Sequence, residues 1–407
     1  MTGFTESSAV FLDSGERMLP DLVALRRRLH AQAEIGLHLP LTQTALLEEL
    51  AGLDLEITTG DSLSSITAVL RGGLPGPTVL ARGDMDGLPI TEATGLDFAA
   101  TTGAMHACGH DLHMAGLVGA ARLLADRRAE LPGTVIFMFQ PGEEGYAGGK
   151  LMLDEGVLTA AGSADGDAPV AAFAIHVDCV TPNRAFVTKS GSIMASASGM
   201  TFTISAAGGH AASPHLGVDP VPVAAEIVLA IQSFVARRVP VTDPAVISIV
   251  HIQSNSEAPN VMPSAVELRA NIRTLSKKTL DLVSDELPAL VEAIAAAHRC
   301  TASSAFTPSY PVTYNDPAET AAVLSILDEV HGAERVIRLP APSMASEDFA
   351  YVLEEVPGTL LFLGAMPVDQ PAAGAPAMHS DRAVFDDSVL GLQAATLADL
   401  VWRRLHL

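Results

Sequence analysis

Two hydrophobic textures alternate along the chain. Short apolar runs at 55–58, 66–70, 78–81, 135–139, 170–175 and 360–363 have the length and content of buried strands. Between them lie longer mixed stretches at 17–33, 41–50, 112–129 and 148–155 that read as helices. Strands alternating with helices predict an α/β layer, a mainly parallel sheet with helices on both faces. From about 187 the texture changes. Strands are expected at 200–205, 245–252, 265–274 and 301–306, with helices at 220–238 and 277–298. That order, βαββαβ, is the ferredoxin-like split arrangement, here a compact α+β domain inserted into the first. After Asn315-Asp316-Pro317 the α/β texture resumes and ends in a long helix at 387–404. The expected layout is 1–186 and 309–407 for one domain and 187–308 for the insert. Surface loops are expected at 161–167 and 371–377, where small residues and proline cluster.

The strands of the first domain lead into ionisable residues. The run at 78–81 leads to Asp84-Met85-Asp86, 135–139 to Pro141-Gly142-Glu143-Glu144, and 170–175 to His176. Sites in open α/β sheets gather beyond the carboxyl ends of strands, and three strands delivering such residues mark one.

Composition narrows the classes. A chain of 407 residues exceeds one ordinary core. With 48% apolar and 17% charged residues it is globular. Its formal charge of −23 and lack of a basic stripe argue against a nucleic-acid partner. Arg26-Arg27-Arg28 reads as a solvated helix face. Three cysteines, Cys108, Cys179 and Cys300, make no disulfide framework and indicate a reducing compartment. No signal peptide or membrane span is expected, so the expected location is cytoplasmic.

The densest chemistry is Met105-His106-Ala107-Cys108-Gly109-His110-Asp111-Leu112-His113. Thiolate and imidazole suit zinc or another borderline first-row metal. In extended backbone Cys108 and His110 would point to one side, and Asp111 would cap a helix starting near Leu112. Taken alone, such a cluster is more often structural than metal-binding. Glu143-Glu144 shifts that balance: adjacent carboxylates after a buried strand point apart, so one can ligate while the other faces substrate. Gly142 and Gly145 allow the sharp turns this needs.

Further motifs follow in order: Arg27-Arg28-Leu29-His30, Asp84-Met85-Asp86-Gly87-Leu88-Pro89, Gly208-Gly209-His210, Asn260-Val261-Met262-Pro263, Ile272-Arg273-Thr274, Ser346-Glu347-Asp348-Phe349 and His379-Ser380. With the 105–113 and 139–145 stretches they make the chain resemble the binuclear metallo-amidohydrolase family of aminoacylase, carboxypeptidase G, hippurate hydrolase and auxin-amide hydrolase, nearest the hippurate hydrolase branch. The resemblance implies two divalent ions per subunit, zinc or manganese with cobalt or nickel as options. Their ligands would be Cys108, His110, Glu144, His176 and His379, with Cys108 bridging. Glu143 would be the general base and acid. Asp86 and Glu347 would support the site from behind, and His106 and His113 would be supporting or structural. In the inserted lid, His210 would stabilise the oxyanion, in relatives from the partner subunit, while Asn260 and Arg273 would hold substrate. The implied reaction is hydrolysis of N-acyl or N-aroyl amino acids by a homodimer joined through its lids. A dipeptidase or carboxypeptidase, or an inactive metal-dependent binding protein, is the alternative.

Overall fold

The computed structural model describes residues 2–162, 168–369 and 374–407. Much of both expected small-residue loops, at 163–167 and 370–373, lies outside the described residues. The chain forms two compact units. The first comprises Met1–Ile193, Tyr314–Ala341 and Asp348–Leu407, and the second Met194–Thr313 with Pro342–Glu347.

The first unit opens with α1 (Thr2–Ala31) and α2 (Pro40–Leu50), followed by β1 (Glu56–Thr59), β2 (Ile66–Arg71) and β3 (Leu74–Asp84). Then come α3 (His110–Asp126), β4 (Pro132–Gln140), α4 (Gly148–Asp154), β5 (Ala171–Asp178) and β6 (Phe186–Thr188). The second unit contributes β7 (Ala197–Ser205), α5 (Pro220–Arg238), β8 (Ala245–Ser254), β9 (Ala265–Thr274), α6 (Lys277–Ala297) and β10 (Thr301–Tyr310). The chain returns to the first with α7 (Pro317–His331), β11 (Val336–Arg338), α8 (Ala350–Glu355), β12 (Gly358–Gly364) and α9 (Leu390–Leu405).

The first unit's eight-stranded sheet runs β1-β2-β4-β3-β5-β12-β6-β11. Its centre, β4-β3-β5-β12, is parallel, while β1-β2-β4 and β12-β6 pair antiparallel. The sheet is therefore mixed around the expected parallel core. Helix α3 is buried on every side, as an all-round apolar helix must be. It packs against α1 and α9. A Cβ at Gly119 would lie 2.6 Å from the Cβ of Ala394, so this approach requires glycine. Helix α1 starts well before the expected residue 17 and runs through Pro20. Burial of Phe11, Leu22, Leu25 and Leu29 offsets the roughly 3 kcal/mol that proline costs inside a helix.

The second unit's sheet runs β8-β9-β7-β10, all neighbours antiparallel. Numbered within the insert this is 2-3-1-4, the split βαββαβ topology. Alternation is clean in β9, where Val266, Leu268, Ala270, Ile272 and Thr274 are buried. Helix α5 is long and apolar enough to cross a membrane. Its Val223, Ala224, Ile227, Ile231 and Phe234 instead belong to this unit's core. The expected joins at 186/187 and 308/309 fall inside β6 and β10. Strands β6 and β11 have three residues each, too short for a periodic signal.

Candidate metal centre

Strands β3, β4 and β5 end at Asp84, Gln140 and Asp178; Asp86 and Glu143-Glu144 lie just beyond the first two ends, and His176 lies within the last part of β5. The loop before α3 is not extended. Gly109 adopts φ +82°, and a Cβ there would sit 2.4 Å from Val177 Cγ2. The left-handed turn lets His110 start the helix itself. Asp111 therefore does not cap α3; it lies in the first turn. Its Oδ2 accepts from Arg26 Nε at 2.7 Å and pairs with His30 Nδ1 at 2.8 Å. Arg26 is buried, which corrects the expectation of a solvated basic face; Arg27 and Arg28 are exposed.

Two histidines are fixed in one tautomer. His110 Nδ1 donates to the Asp86 carbonyl at 2.7 Å, and His176 Nδ1 donates to the Val177 carbonyl at 2.7 Å. With Nδ1 so engaged, Nε2 is the ring atom of each that would ligate a metal, the arrangement that outer hydrogen bonds impose on metal-binding imidazoles. His176 Nε2 is 3.6 Å from Cys108 Sγ. His113 differs. Its Nε2 accepts the Val177 N–H at 2.8 Å, so Nδ1 carries the proton and donates to Asp84. With both nitrogens engaged, His113 braces the site from behind. Burial pushes its pKa down to about 3, so it stays neutral.

The turn after β4 carries Glu143 and Glu144. Asp86 accepts both their backbone N–H groups, at 2.9 and 3.1 Å. Gly142 stands at φ +74°. His379 reaches the site from a distant segment at φ +66°, uncommon outside glycine. Its N–H donates to the Ala107 carbonyl at 3.0 Å, and its Nε2 is 3.2 Å from Glu144 Oε1.

The expected ligands converge in two groups. Donor atoms of Cys108, His110 and His176 lie within 4.8 Å of one another, as do those of Cys108, Glu144 and His379. Cys108 belongs to both. A third group joins His110, Glu143 and Glu144. His110 Nε2 is buried without a hydrogen-bond partner among the described residues. Such atoms are costly unless something fills the gap. Burial raises the Cys108 thiol pKa, but the charge of His176 and hydrogen bonds from neighbouring imidazoles bring it down to about 6. A thiolate shared by two donor groups, with a buried imidazole nitrogen unpaired in one of them, fits a pair of divalent ions.

The residues expected in the lid belong to the second unit. His210 pairs with Val261 in a short antiparallel bridge, and its Nδ1 accepts the Ala212 N–H at 3.0 Å. The ring proton therefore sits on Nε2. The Ala211 N–H donates to the Asn260 carbonyl at 3.0 Å, tying the two motifs together. Arg273 is held by neutral groups, Asn271 Oδ1 at 3.1 Å and Ser346 Oγ at 2.7 Å. Glu347 is buried, and its carbonyl accepts from Thr313 Oγ1 at 3.3 Å.

Three buried polar residues were not singled out from sequence: Arg82, Gln140 and Asp348. Arg82 Nη1 donates to Asp84 at 2.7 Å, Nε to Gln140 Oε1 at 2.9 Å and Nη2 to Asp348 at 3.0 Å. For Arg82 and Gln140 the available signal was polar residues at the ends of otherwise apolar strands.

Fold and donor set define a two-unit metallohydrolase. The chain belongs to peptidase family M20/M25/M40, whose sequence profile matches residues 80–403. It is 32% identical over 378 residues to thermostable carboxypeptidase 1 of Saccharolobus solfataricus, covering 92% of each chain. It is also 32% identical over 386 residues to N-acetylcysteine deacetylase of Bacillus subtilis, covering 93% of this chain and 95% of the relative. Among solved structures it is similar to a dinuclear metal-binding M20 peptidase of Bacillus subtilis. There the TM-score is 0.82 at 29% identity, covering 96% of this chain and 99% of the other. The protein is thus a hydrolase of this family with the residues to bind metal.

Proposed function

We propose that this hydrolase cleaves the amide bond of N-acyl or N-aroyl amino acids, releasing a carboxylic acid and a free amino acid. The observation that supports this best is one thiol, Cys108, shared by two donor groups with Glu143 beside them. Cys108, His110 and His176 would hold one divalent ion, zinc or manganese, and Cys108, Glu144 and His379 the other. When bound, such ions supply Lewis acidity and a water of lowered pKa. Glu143, on the same turn as Glu144 but outside these two groups, accepts the proton of the attacking water. It then returns that proton to the leaving amine nitrogen. Asp86 holds the turn and the His110 tautomer.

Arg273 has no carboxylate partner among the described residues, so its guanidinium is free to bind the amino-acid carboxylate, with Asn260 assisting. His210, protonated on Nε2, donates to the oxyanion, in the partner subunit's site. A homodimer joined through the lids is supported by β8, an edge strand with Val246, Val250 and Ile252 exposed.

The test is a panel of N-acetyl and N-benzoyl amino acids against dipeptides with a free amine, read by amine release with defined metals. Turnover of the N-acyl series, abolished by chelator and restored by metal, is expected. Faster cleavage of the dipeptides overturns the proposal in favour of a dipeptidase or carboxypeptidase. Absence of turnover on either series leaves a metal-dependent binding protein as the reading.

A further inference from the structure

The turn bearing the two glutamates, residues 141–148, is held on one side by Asp86 and on the other by a carboxylate from far along the chain. Asp348 Oδ1 and Oδ2 accept from Gln140 Nε2 at 2.7 and 2.8 Å, just before the turn. Oδ2 also accepts the Gly149 N–H at 2.8 Å, just after it. Asp348's own N–H reaches Glu143 Oε1 at 3.4 Å. One residue thus touches the start of the turn, its end and the carboxylate at its apex.

The clamp is buried and charge-balanced. Asp348 is fully buried, and Arg82, 3% exposed, donates to it and to Asp84. Two carboxylates around one guanidinium would be costly to bury unpaired, and here the hydrogen bonds converge. The packing leaves little slack. A Cβ on Gly148 would lie 1.7 Å from the Pro141 carbonyl, and the Gly148 N–H closes the turn onto Gly142 O at 3.0 Å. Glu144 is anchored independently, through its N–H on Asp86 and its side chain beside His379. Glu143 shares the Asp86 anchor, and among these contacts it alone meets the Asp348 backbone.

We propose that Asp348 is a positioning residue that sets the orientation of Glu143 without taking part in metal binding, a role that rests on Glu143 being the proton-transfer group. Misplacing a reacting group by about 1 Å costs roughly 100-fold in rate. Loss of the clamp should therefore lower kcat while leaving metal affinity and KM in place.

The test uses the metal-loaded full chain and the best substrate of the amine-release panel. Asp348→Asn is expected to lower kcat by about 10–100-fold. KM, and metal affinity measured by competition with a chromophoric chelator, should stay within about twofold. Gln140→Met removes the clamp's first contact but keeps the Arg82–Asp348 pair, and should give a smaller fall of the same kind; it decides the matter if Asp348→Asn does not fold. A crystal structure of either variant should show the Glu143 carboxylate displaced and Glu144 in place. Unchanged kcat in both variants overturns the proposal, as does a loss of metal affinity equal to the loss of kcat. Glu143→Ala separates the two readings. If it keeps full activity, the base assignment has failed; if it is inactive while Asp348→Asn is unimpaired, only the positioning role has failed.

Discussion

The candidate metal ligands of the first unit and the candidate substrate residues of the second are held in opposite ways. In the first unit four of the five candidate ligands have a second anchor: His110 on the Asp86 carbonyl, His176 on the Val177 carbonyl, Glu144 through its N–H on Asp86, His379 through its N–H on Ala107. Donor directions are set before anything binds, at the cost of orphaned atoms such as His110 Nε2. In the second unit His210 and Asn260 are exposed, His210 on a bridge of two residues per strand and Asn260 just before its second strand. Among the described residues Arg273 leans on the neutral side chains of Asn271 and Ser346. Chemistry is built on rigid strand ends, where a small displacement is expensive.

The contrast can be broken or sharpened in four ways. The largest effect is expected for Glu143→Ala, which should lower kcat by about 10²–10⁴-fold with metal content unchanged. Full turnover with the same metal content would remove Glu143 from the mechanism. Next, Cys108→Ser should weaken metal binding by more than the roughly 10–100-fold typical of losing an outer partner, because both donor groups lose a ligand. Equilibrium dialysis showing one ion still bound at wild-type affinity would exclude Cys108 as the bridge.

The third concerns pH. Burial opposes protonation of His30, but Asp111 and Glu92 outweigh it and raise its pKa from 6.5 to about 9. A raised folded-state pKa stabilises fully below the unfolded value and is lost as pH rises through the folded one. The stability gap between the wild type and His30→Asn should thus narrow by about 3 kcal/mol between pH 6.5 and about 9, measured by urea unfolding. A gap constant across that range would show that His30 is not doubly ion-paired in solution. The smallest effect belongs to the lid. Arg273→Lys should raise KM about 10-fold or more with little change in metal affinity, since lysine lacks the planar fork. If kcat fell and KM did not, Arg273 would be acting on the transition state alone.

Sequence patterning carried much of the first unit's sheet and all six insert elements, because long periodic segments bury one face and show it. It did not carry the three-residue strands β6 and β11, which have no period to read. Nor did it separate Arg26 from Arg27 and Arg28. Three adjacent arginines look alike in sequence, yet α1 turns one of them inward to Asp111. His113 had the same ambiguity, ended by the Val177 N–H on its second nitrogen. Asp348 stood next to Glu347 in a recognised motif, and nothing local marked it as the residue beneath the turn.

Sequence by itself determined the order of elements, the chemistry available at the strand ends and the family to which the chain belongs. These depend on residue type and spacing, which are local. Tertiary structure alone decided which partner each nitrogen of His113 meets, that Cys108 belongs to two donor groups, and that Asp348 clamps the glutamate turn from more than two hundred residues away. Each of these is a matter of hydrogen-bond partners from distant segments, and only the folded chain brings those within reach.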